Sequence, residues 1–396
     1  MLPTIKTLAI EIENSWARFG YAENVFCEIA AIHLAQPLDL NFTTLAHHIC
    51  EGLVLPEQRR RDQGFGQPSL TLYHGERFLI EALCWHSGTP AIHQHSFSGA
   101  FRMMTGQSVH SCYSFTESEH LDQITLGELR LENVEILNEH STVKIPRGRG
   151  LIHSAFHLDS PSMTIVVRTY QTNEPELTYL PPGVAYDPSL RSPSLHKRLQ
   201  LLDTLNLTGH DSYCDCVRAA IGSTNLYDGM EILMRVGYHC VDELMFCEFT
   251  RRLSDLHGTK IRQVITALIE ERRRNSIIRL RAGVTDPDTR FFIASLINFS
   301  CRADLLSAME LRYGNRVTAR DHIVKGVSNL IGGDRDRQTI VMSVASAMLD
   351  NLPAKSFPEL AARLWNRPIT TQEGADLERF YEQIMEHPLL TPLQNG

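Results

Sequence analysis

The feature that most limits how this chain can fold is a set of eight short apolar or alternating runs between Leu70 and Tyr170. Several runs alternate apolar and polar residues with the period of two that is typical of half-buried strands. Glycine, proline, serine and asparagine, which favour turns, separate the runs. The segment therefore predicts antiparallel strands of a barrel or sandwich. The runs are LTLYH, RFLIEALCW, GAFRMMTG, SVHSCYSF, VEILN, TVKIP, LIHSAFHL and MTIVVRTY.

Segments with helical periodicity precede and follow these predicted strands in the sequence. Residues 4–53 repeat apolar residues at helical spacing, and from about residue 190 onward the sequence shows amphipathic helices with short turns. Between strands and helices, the proline-rich stretch NEPELTYLPPGVAYDPSLRSPS lacks periodicity and predicts a linker. We therefore expect an α+β chain of two domains, with N-terminal helices and a barrel in 1–188 and an all-α accessory domain in 189–396.

Composition and charge exclude several classes of partner. The formal charge of -8 argues against broad binding of nucleic acid or of an anionic membrane, both of which need an excess of lysine and arginine. No apolar run approaches the roughly 20 residues of a membrane-spanning helix, and the N-terminus does not resemble a signal peptide. Nine cysteines without paired spacing fit a reducing compartment. We expect a cytoplasmic protein that binds a small molecule.

A pair of histidines on one strand is the first candidate for chemistry. In His93-Gln94-His95 the two imidazoles point to the same face of a strand, so two metal ligands are preorganised. A second motif, PRGRGLIH, follows about 50 residues later and ends at His153, which is the candidate for a third ligand. His157 lies four residues after His153, so strand alternation points both side chains to the same face. His157 therefore either replaces His153 as the third ligand or donates a hydrogen bond behind the ligands.

This layout of two motifs, within residues 70–172, resembles the cupin superfamily. Many cupins carry a glutamate shortly after the first histidine pair, where this chain has Ser98 and Gly99. In that respect the segment is similar to cysteine dioxygenase and related thiol dioxygenases, whose metal is held by three histidines. The resemblance implies a jelly-roll barrel (a double-stranded β-helix) in which His93, His95 and His153 hold one iron(II).

The same resemblance suggests residues that would contact a substrate. Tyr170 follows His153 by 17 residues, where those enzymes carry an active-site tyrosine, and it would orient bound oxygen or substrate. Arg77 is the candidate for gripping a substrate carboxylate, with Arg168 as the alternative. Tyr170 as an ordinary barrel aromatic and Arg77 as a solvated surface charge are the competing interpretations.

Two departures from the thiol dioxygenases bear on the substrate. Gly99 or Ala100 stands where the mammalian enzymes have a cysteine cross-linked to the tyrosine, so no thioether is expected. Val166 and Arg168 stand where the family has the serine and histidine that accompany the tyrosine. The hydrogen-bonded relay of that family is therefore not reproduced.

The leading functional hypothesis is a mononuclear non-haem iron(II) oxygenase that acts on a small molecule with dioxygen. Three neutral imidazoles also suit other divalent transition metals, and they leave about three coordination positions open. Thiol dioxygenation to a sulfinate is the most specific form of this hypothesis. The alternatives are a metal-dependent cupin enzyme of another reaction type (hydroxylation, carbon-carbon cleavage or isomerisation) and a non-enzymatic small-ligand sensor. The helical domain would cover the pocket, form a homo-oligomer interface or dock a partner protein.

Overall fold

The computed structural model describes residues 2–52, 54–58, 66–86, 91–239 and 242–395. The chain forms two compact units, residues 1–272 and 273–396, and the division falls within one long helix. All described strands belong to the first unit. Across the described ranges, no helix has both the length and the apolar character needed to cross a bilayer.

Among the residues described before the first strand, the chain forms three α-helices, α1 (Pro3–Ala17), α2 (Phe26–Leu34) and α3 (Phe42–Cys50). A capping box between Asn41 and Thr44 starts α3, since each side chain bonds the backbone N–H of the other. The helices pack on the outer face of a sheet and form with it one apolar core. That core includes Ile5, Ile12, Phe26, Leu45, Phe78, Ile80, Ile165 and Val167.

Eleven strands are described in the first unit. They are β1 (Ser69–His74), β2 (Phe78–Trp85), β3 (Ile92–His95), β4 (Gly99–Thr105), β5 (Ser108–Leu121), β6 (Ile124–Leu137), β7 (Thr142–Ile145), β8 (Gly148–His157), β9 (Ser162–Thr169), β10 (Thr178–Leu180) and β11 (Val184–Tyr186). One sheet has the order β1-β2-β9-β4-β7. The other has the order β10-β11-β6-β5-β8-β3 and closes on itself, because β3 also pairs with β10.

Every one of the eight predicted runs overlaps a strand, but the predicted linker is wrong. The stretch that begins at Asn173 contains β10 and β11, which complete the closed sheet by pairing with β3 and β6. Each of these strands has only three residues, and Pro181 and Pro182 lie in the turn between them. They pair with each other across this turn, and their other partners, β3 and β6, are distant in sequence.

Five helices continue the first unit beyond the strands. They are α4 (Pro193–Leu207), α5 (Tyr213–Ile221), α6 (Leu226–His239), α7 (Glu243–His257) and α8 (Arg262–Leu280). Their apolar faces share a buried cluster with Ile124, Leu126 and Val184 of the closed sheet. Gln263 also donates a hydrogen bond to the carbonyl of Gly183 at 2.8 Å. This packing is consistent with the extent of the first compact unit, which continues beyond the strands to residue 272.

The second unit is helical throughout its described residues. It contains the end of α8 and then α9 (Pro287–Asn298), α10 (Arg302–Tyr313), α11 (Arg316–Ile331), α12 (Arg335–Leu349), α13 (Phe357–Leu364), α14 (Thr371–Met385) and α15 (Thr391–Gln394). Side chains of Asp286, Asn315, Asp334 and Thr370 cap four of these helices. The predicted fold class is confirmed: N-terminal helices, a cupin-like barrel, and then helices to the end of the chain.

Candidate metal centre

Three histidines from two neighbouring strands converge inside the barrel. His93 and His95 lie on β3, and His153 lies on β8 directly opposite His93 in the register. The pairing shifts between His93 and His95, so that His95 lies opposite Gly148. The potential ligand atoms of the three side chains all lie within 4.8 Å of one another. The spacing of two within β3 brings the first pair together, and the β3–β8 pairing adds the third.

Two of these ligand atoms are close enough to contact the same metal ion. Nε2 of His95 and Nε2 of His153 lie 2.9 Å apart, and the third imidazole lies beside them. Metal–nitrogen bonds are about 2.1 Å long, so one ion can reach two nitrogens at this separation. A metal ion held by three histidines would keep further positions open to other ligands.

Hydrogen bonds direct the lone pair of His93 towards this centre. Nδ1 of His93 lies 2.8 Å from the carbonyl oxygen of Ala91. A carbonyl oxygen can only accept a hydrogen bond, so Nδ1 carries the proton of the neutral ring. Nε2 is then the unprotonated nitrogen and is available to a metal ion.

A chain of two further residues fixes His153 in the same way. Nδ1 of His110 lies 3.1 Å from Oε1 of Glu135, and Nε2 of His110 lies 2.9 Å from Nδ1 of His153. The carboxylate accepts from Nδ1 of His110, which leaves Nε2 of His110 to accept the Nδ1 proton of His153. Nε2 of His153 therefore keeps its lone pair for the metal, as is usual where a histidine ligand is backed by another acceptor.

The sequence analysis did not identify His110 and Glu135 as candidate site residues. His110 lies in the alternating run SVHSCYSF on β5, and nothing local distinguishes it among 18 histidines. Only the pairing of β5 with both β6 and β8 brings it between Glu135 and His153. Alternation could have placed His110 on the inner face, but not beside a ligand.

Burial keeps the three histidines neutral. It lowers the pKa of His93, and it lowers the pKa values of His95 and His153 well below the usual 6.5. Positive charge on the neighbouring rings acts in the same direction on His95 and His153. Neutral imidazole is the form that binds a metal, so no proton has to leave these rings at neutral pH.

The histidines stand at one end of a cavity between the two sheets, with a volume of about 130 Å³. A water molecule needs about 10–15 Å³ by this measure, so the cavity holds a small molecule of roughly ten water-sized positions. Most of its wall is apolar. The lining residues include Leu83, Trp85, Phe97, Phe101, Met103, Leu137, Ile145, Ala155 and Val166, with Glu81, Arg168, Gln171 and Glu176 as polar members.

Of the two arginines predicted to contact a substrate, Arg168 lines this cavity. Its guanidinium lies 5.0 Å from the ring centre of Phe97, and its Nε donates to Oε2 of Glu81 at 2.6 Å. Both members of this ion pair are buried. The charge of Arg168 also contributes to the lowered pKa of His95, after burial and His93, which is consistent with a place near the histidines.

Arg77, the other candidate, does not line the cavity. It precedes β2 and stacks on the ring of Tyr21 at 4.1 Å, within 3.7 Å of the carboxylate of Glu13. Its side chain is 43% exposed and is not among the residues that line the cavity. The competing interpretation, a surface charge, describes its position.

Tyr170 is also outside the cavity, contrary to the prediction that it lines the pocket. Its hydroxyl donates a hydrogen bond to the carbonyl of Gly75, in the turn between β1 and β2. The strand β9 ends at Thr169, and Tyr170 is the first residue beyond it. The alternation that turns the side chain of Arg168 inward therefore does not extend to Tyr170. The match in spacing to the thiol dioxygenases therefore does not place this hydroxyl at the metal centre.

His157 lines the cavity but does not join the three histidines. It lies four residues after His153, roughly 13 Å along β8. Its Nδ1 lies 2.7 Å from Oγ of Ser108, and its ring stacks on Trp85 at 4.7 Å. The structure thus gathers His153, and not His157, as the third member of the group, and His110 occupies the place behind His153.

No protein-family model and no curated protein matches this chain in sequence. Among solved structures, it is similar to hydroquinone 1,2-dioxygenase from Sphingomonas sp. TTNP3 with 4-hydroxybenzoate bound, at 12% identity and a TM-score of 0.21, over 28% of this chain and 71% of that chain. It is similar to a recombinant oxalate oxidase in complex with glycolate at 18% identity and a TM-score of 0.18, over 28% of this chain and 45% of that chain.

A third similar structure is a cupin superfamily protein from Desulfitobacterium hafniense DCB-2, at 12% identity and a TM-score of 0.18, over 30% of this chain and 95% of that chain. This chain spans less than half the length of the oxalate oxidase and most of the other two proteins. At such identities and scores the similarity says nothing about activity.

Proposed function

We propose that this protein is a mononuclear iron(II) oxygenase that acts on a small molecule with dioxygen at His93, His95 and His153. The observation that carries the proposal is the 2.9 Å separation of the Nε2 atoms of His95 and His153, with the third imidazole beside them, at the end of a buried cavity. With three neutral ligands, a bound iron(II) would keep its dipositive charge and offer open positions to a chelating substrate and dioxygen.

The donor set fits such an ion. All three rings are buried and neutral, and the inferred tautomers of His93 and His153 leave Nε2 unprotonated. Nδ1 of His95 is buried without a hydrogen-bond partner among the described residues, and it would bear the proton if Nε2 coordinates. The protein's part is thus to hold three lone pairs in place and to keep protons off them.

Arg168 is the residue we assign to binding an anionic part of the substrate. Its Nε is engaged by Glu81, which fixes the plane of the guanidinium beside Phe97. A carboxylate or thiolate entering the cavity would be attracted to this buried positive charge and oriented by its N–H groups. The apolar wall excludes water around that contact and so strengthens it.

Two features of the chain bear on the reaction at this metal. A three-histidine set without glutamate and the sequence resemblance support thiol dioxygenation to a sulfinate. The position of Tyr170 outside the cavity removes one of the groups that such an enzyme would use. Another oxygenase reaction or an isomerisation at the same metal, and a sensor that consumes no dioxygen, are the other outcomes of the test. The cytoplasmic location and a homo-oligomer interface on the helices stay predictions.

Metal analysis of freshly purified protein, loaded anaerobically with iron(II), tests the site. We expect one ion per chain, loss of the ion in His93→Ala and His153→Ala, and retention in His157→Gln. The exposed histidine His120, changed to glutamine, is the matched control. Full metal content in His153→Ala would contradict the ligand assignment.

Oxygen consumption tests the reaction. The loaded protein is offered thiols, amino acids without sulfur, carboxylic acids and phenols, with product analysis for sulfinates. Consumption with a thiol and a sulfinate product supports the narrower form, and consumption with another class supports a different oxygenase. If no compound of any class leads to dioxygen consumption while the metal stays bound, the oxygenase proposal fails. That result would favour the hypothesis of a small-ligand sensor.

A further inference from the structure

The end of the cavity remote from the three histidines has its own polar groups. Trp85 ends β2, Ser108 begins β5 and His157 ends β8, and all three line the cavity. Ser108 is the register partner of His157, so their side chains share one face of the closed sheet. Since His157 lies roughly 13 Å along β8 from His153, a ligand that reaches both ends has to span the cavity.

One donor at this end has no partner. Trp85 is only 7% exposed, and its Nε1 is buried without a hydrogen-bond acceptor among the described residues. Indole nitrogen can only donate, and a buried donor without an acceptor is unfavourable. A buried donor that lines a cavity is expected where a ligand or a water molecule in that cavity supplies the missing acceptor.

The acceptor should be uncharged. The carboxylates and guanidinium that line the cavity belong to Glu81, Arg168 and Glu176, and Glu81 lies four residues before Trp85 on the same strand. Near Trp85 the lining groups are the neutral Ser108, Met103 and Thr164 together with His157. A hydroxyl, carbonyl or nitro oxygen can accept from an indole N–H without needing a counter-charge, whereas a carboxylate would lose its hydration without one.

Aromatic side chains form part of the cavity wall at both ends. Phe97 and Phe101 line it near the three histidines, where the ring of Phe101 lies 6.1 Å from that of His153, centroid to centroid. Trp85 lines it at the other end, where its indole stacks on the imidazole of His157 at 20°. Aromatic side chains favour ring-bearing ligands, which gain from offset or edge contacts as well as from burial.

We propose that Trp85, with Ser108 and His157 beside it, forms a subsite for a neutral hydrogen-bond acceptor at the far end of a ring-bearing substrate whose other end reaches the metal. This rests on the proposed metal centre and adds the substrate class. The ligand is thus an aromatic molecule with a chelating group at one end and a hydroxyl, carbonyl or similar oxygen at the other.

Two catechols serve as probes, because their adjacent oxygens chelate a metal with open positions and their 4-substituent differs. The nitro group of 4-nitrocatechol is a neutral acceptor, and the methyl group of 4-methylcatechol is not. Each is titrated anaerobically into the full-length iron(II)-loaded protein, 4-nitrocatechol by its visible absorbance and 4-methylcatechol by competition. The variants are Trp85→Phe, which keeps a ring and removes the donor, and Trp16→Phe, which removes the indole donor that bonds Ala22 in the N-terminal helices.

We expect Trp85→Phe to raise the Kd of 4-nitrocatechol about 3- to 10-fold, the range for one lost hydrogen bond. The Kd of 4-methylcatechol should change less than about twofold, and Trp16→Phe should alter neither. Equal changes for both probes, or none, would mean that Trp85 only packs or binds water, and would overturn the proposal. Wild-type protein that retains its metal but binds neither probe also overturns it. Failure to bind metal at all would instead refute the proposed metal centre.

Discussion

Replacing His110 with leucine tests whether the metal site depends on the residue behind His153. His110 is 1% exposed, and its two ring nitrogens lie 2.9 Å from Nδ1 of His153 and 3.1 Å from Oε1 of Glu135. Leucine keeps an apolar side chain in this space but offers no acceptor for the Nδ1 proton of His153. That proton is then free to move to Nε2, the atom that would bind the metal.

The expected loss follows from the burial of the pair. Removing the partner behind a histidine ligand usually costs 10- to 100-fold in metal affinity, or about 1.4–2.7 kcal/mol. Water has little access to this contact, because His110 and His153 are both buried, so we expect a loss in the upper part of that range. Glu135 is 48% exposed, and the amide oxygen of Glu135→Gln can still accept from His110. That variant should lose less than about tenfold.

Cobalt(II) affinity, measured by competition with a chelator and by the visible spectrum of the bound ion, gives the readout. His110→Gln is the informative companion, since its amide oxygen can accept the Nδ1 proton of His153 and should restore part of the affinity. His120→Leu, at an exposed position of the same strand, controls for the loss of a histidine. Unchanged affinity in His110→Leu, or equal losses in the leucine and glutamine variants, would refute the tautomer argument.

Three stability predictions concern the framework, each measured by urea unfolding. A Cβ on Gly99 would lie 2.2 Å from the carbonyl oxygen of Val167, so Gly99→Ala should destabilise by about 1–3 kcal/mol, whereas Gly283→Ala, with open space around it, should not. Arg168→Met leaves a buried carboxylate unpaired and should cost about 3–5 kcal/mol; adding Glu81→Gln should recover much of it. Asp286 accepts from Thr289 at the start of α9, so its alanine variant should cost about 0.5–2 kcal/mol. Bonding to Thr289 lowers the pKa of Asp286 below 3.8, so that loss should persist at neutral pH and narrow as pH falls through the folded pKa.

The period of two within strands predicted antiparallel strands of a barrel or sandwich and put the first two candidate ligands on one face, and the resemblance to cupins favoured the barrel. His93 and His95 share a face whatever β3 pairs with, and the eight runs are apolar enough to require a core. His153 was found through a motif and not through geometry. Its position opposite His93 depends on the β3–β8 pairing, which brings together residues far apart in sequence.

Tyr170 and Arg77 both lie outside the cavity, and in both cases tertiary packing is the reason. Tyr170 has the spacing of an active-site residue, but β9 ends one residue earlier and its side chain leaves the barrel. Arg77 lies in the turn before β2, where the packing of α1 on the sheet takes it to Glu13 and Tyr21. In each case the residue type was suitable, and the end of a strand decided where the side chain went.

The pairing of β5 with β8 positions four of the residues in the two proposals, His153, His110, His157 and Ser108. Opposite pairs along them are Ser108 with His157, His110 with Ala155, and Cys112 with His153. The residue behind the metal ligand and the polar group of the remote subsite are therefore two positions apart on β5, and both face inward by the same alternation. A slip of one residue in this pairing would turn the inward-facing residues of one of the two strands outward. The spacing between the proposed metal centre and the groups of the subsite on β5 and β8 is therefore set by strand geometry.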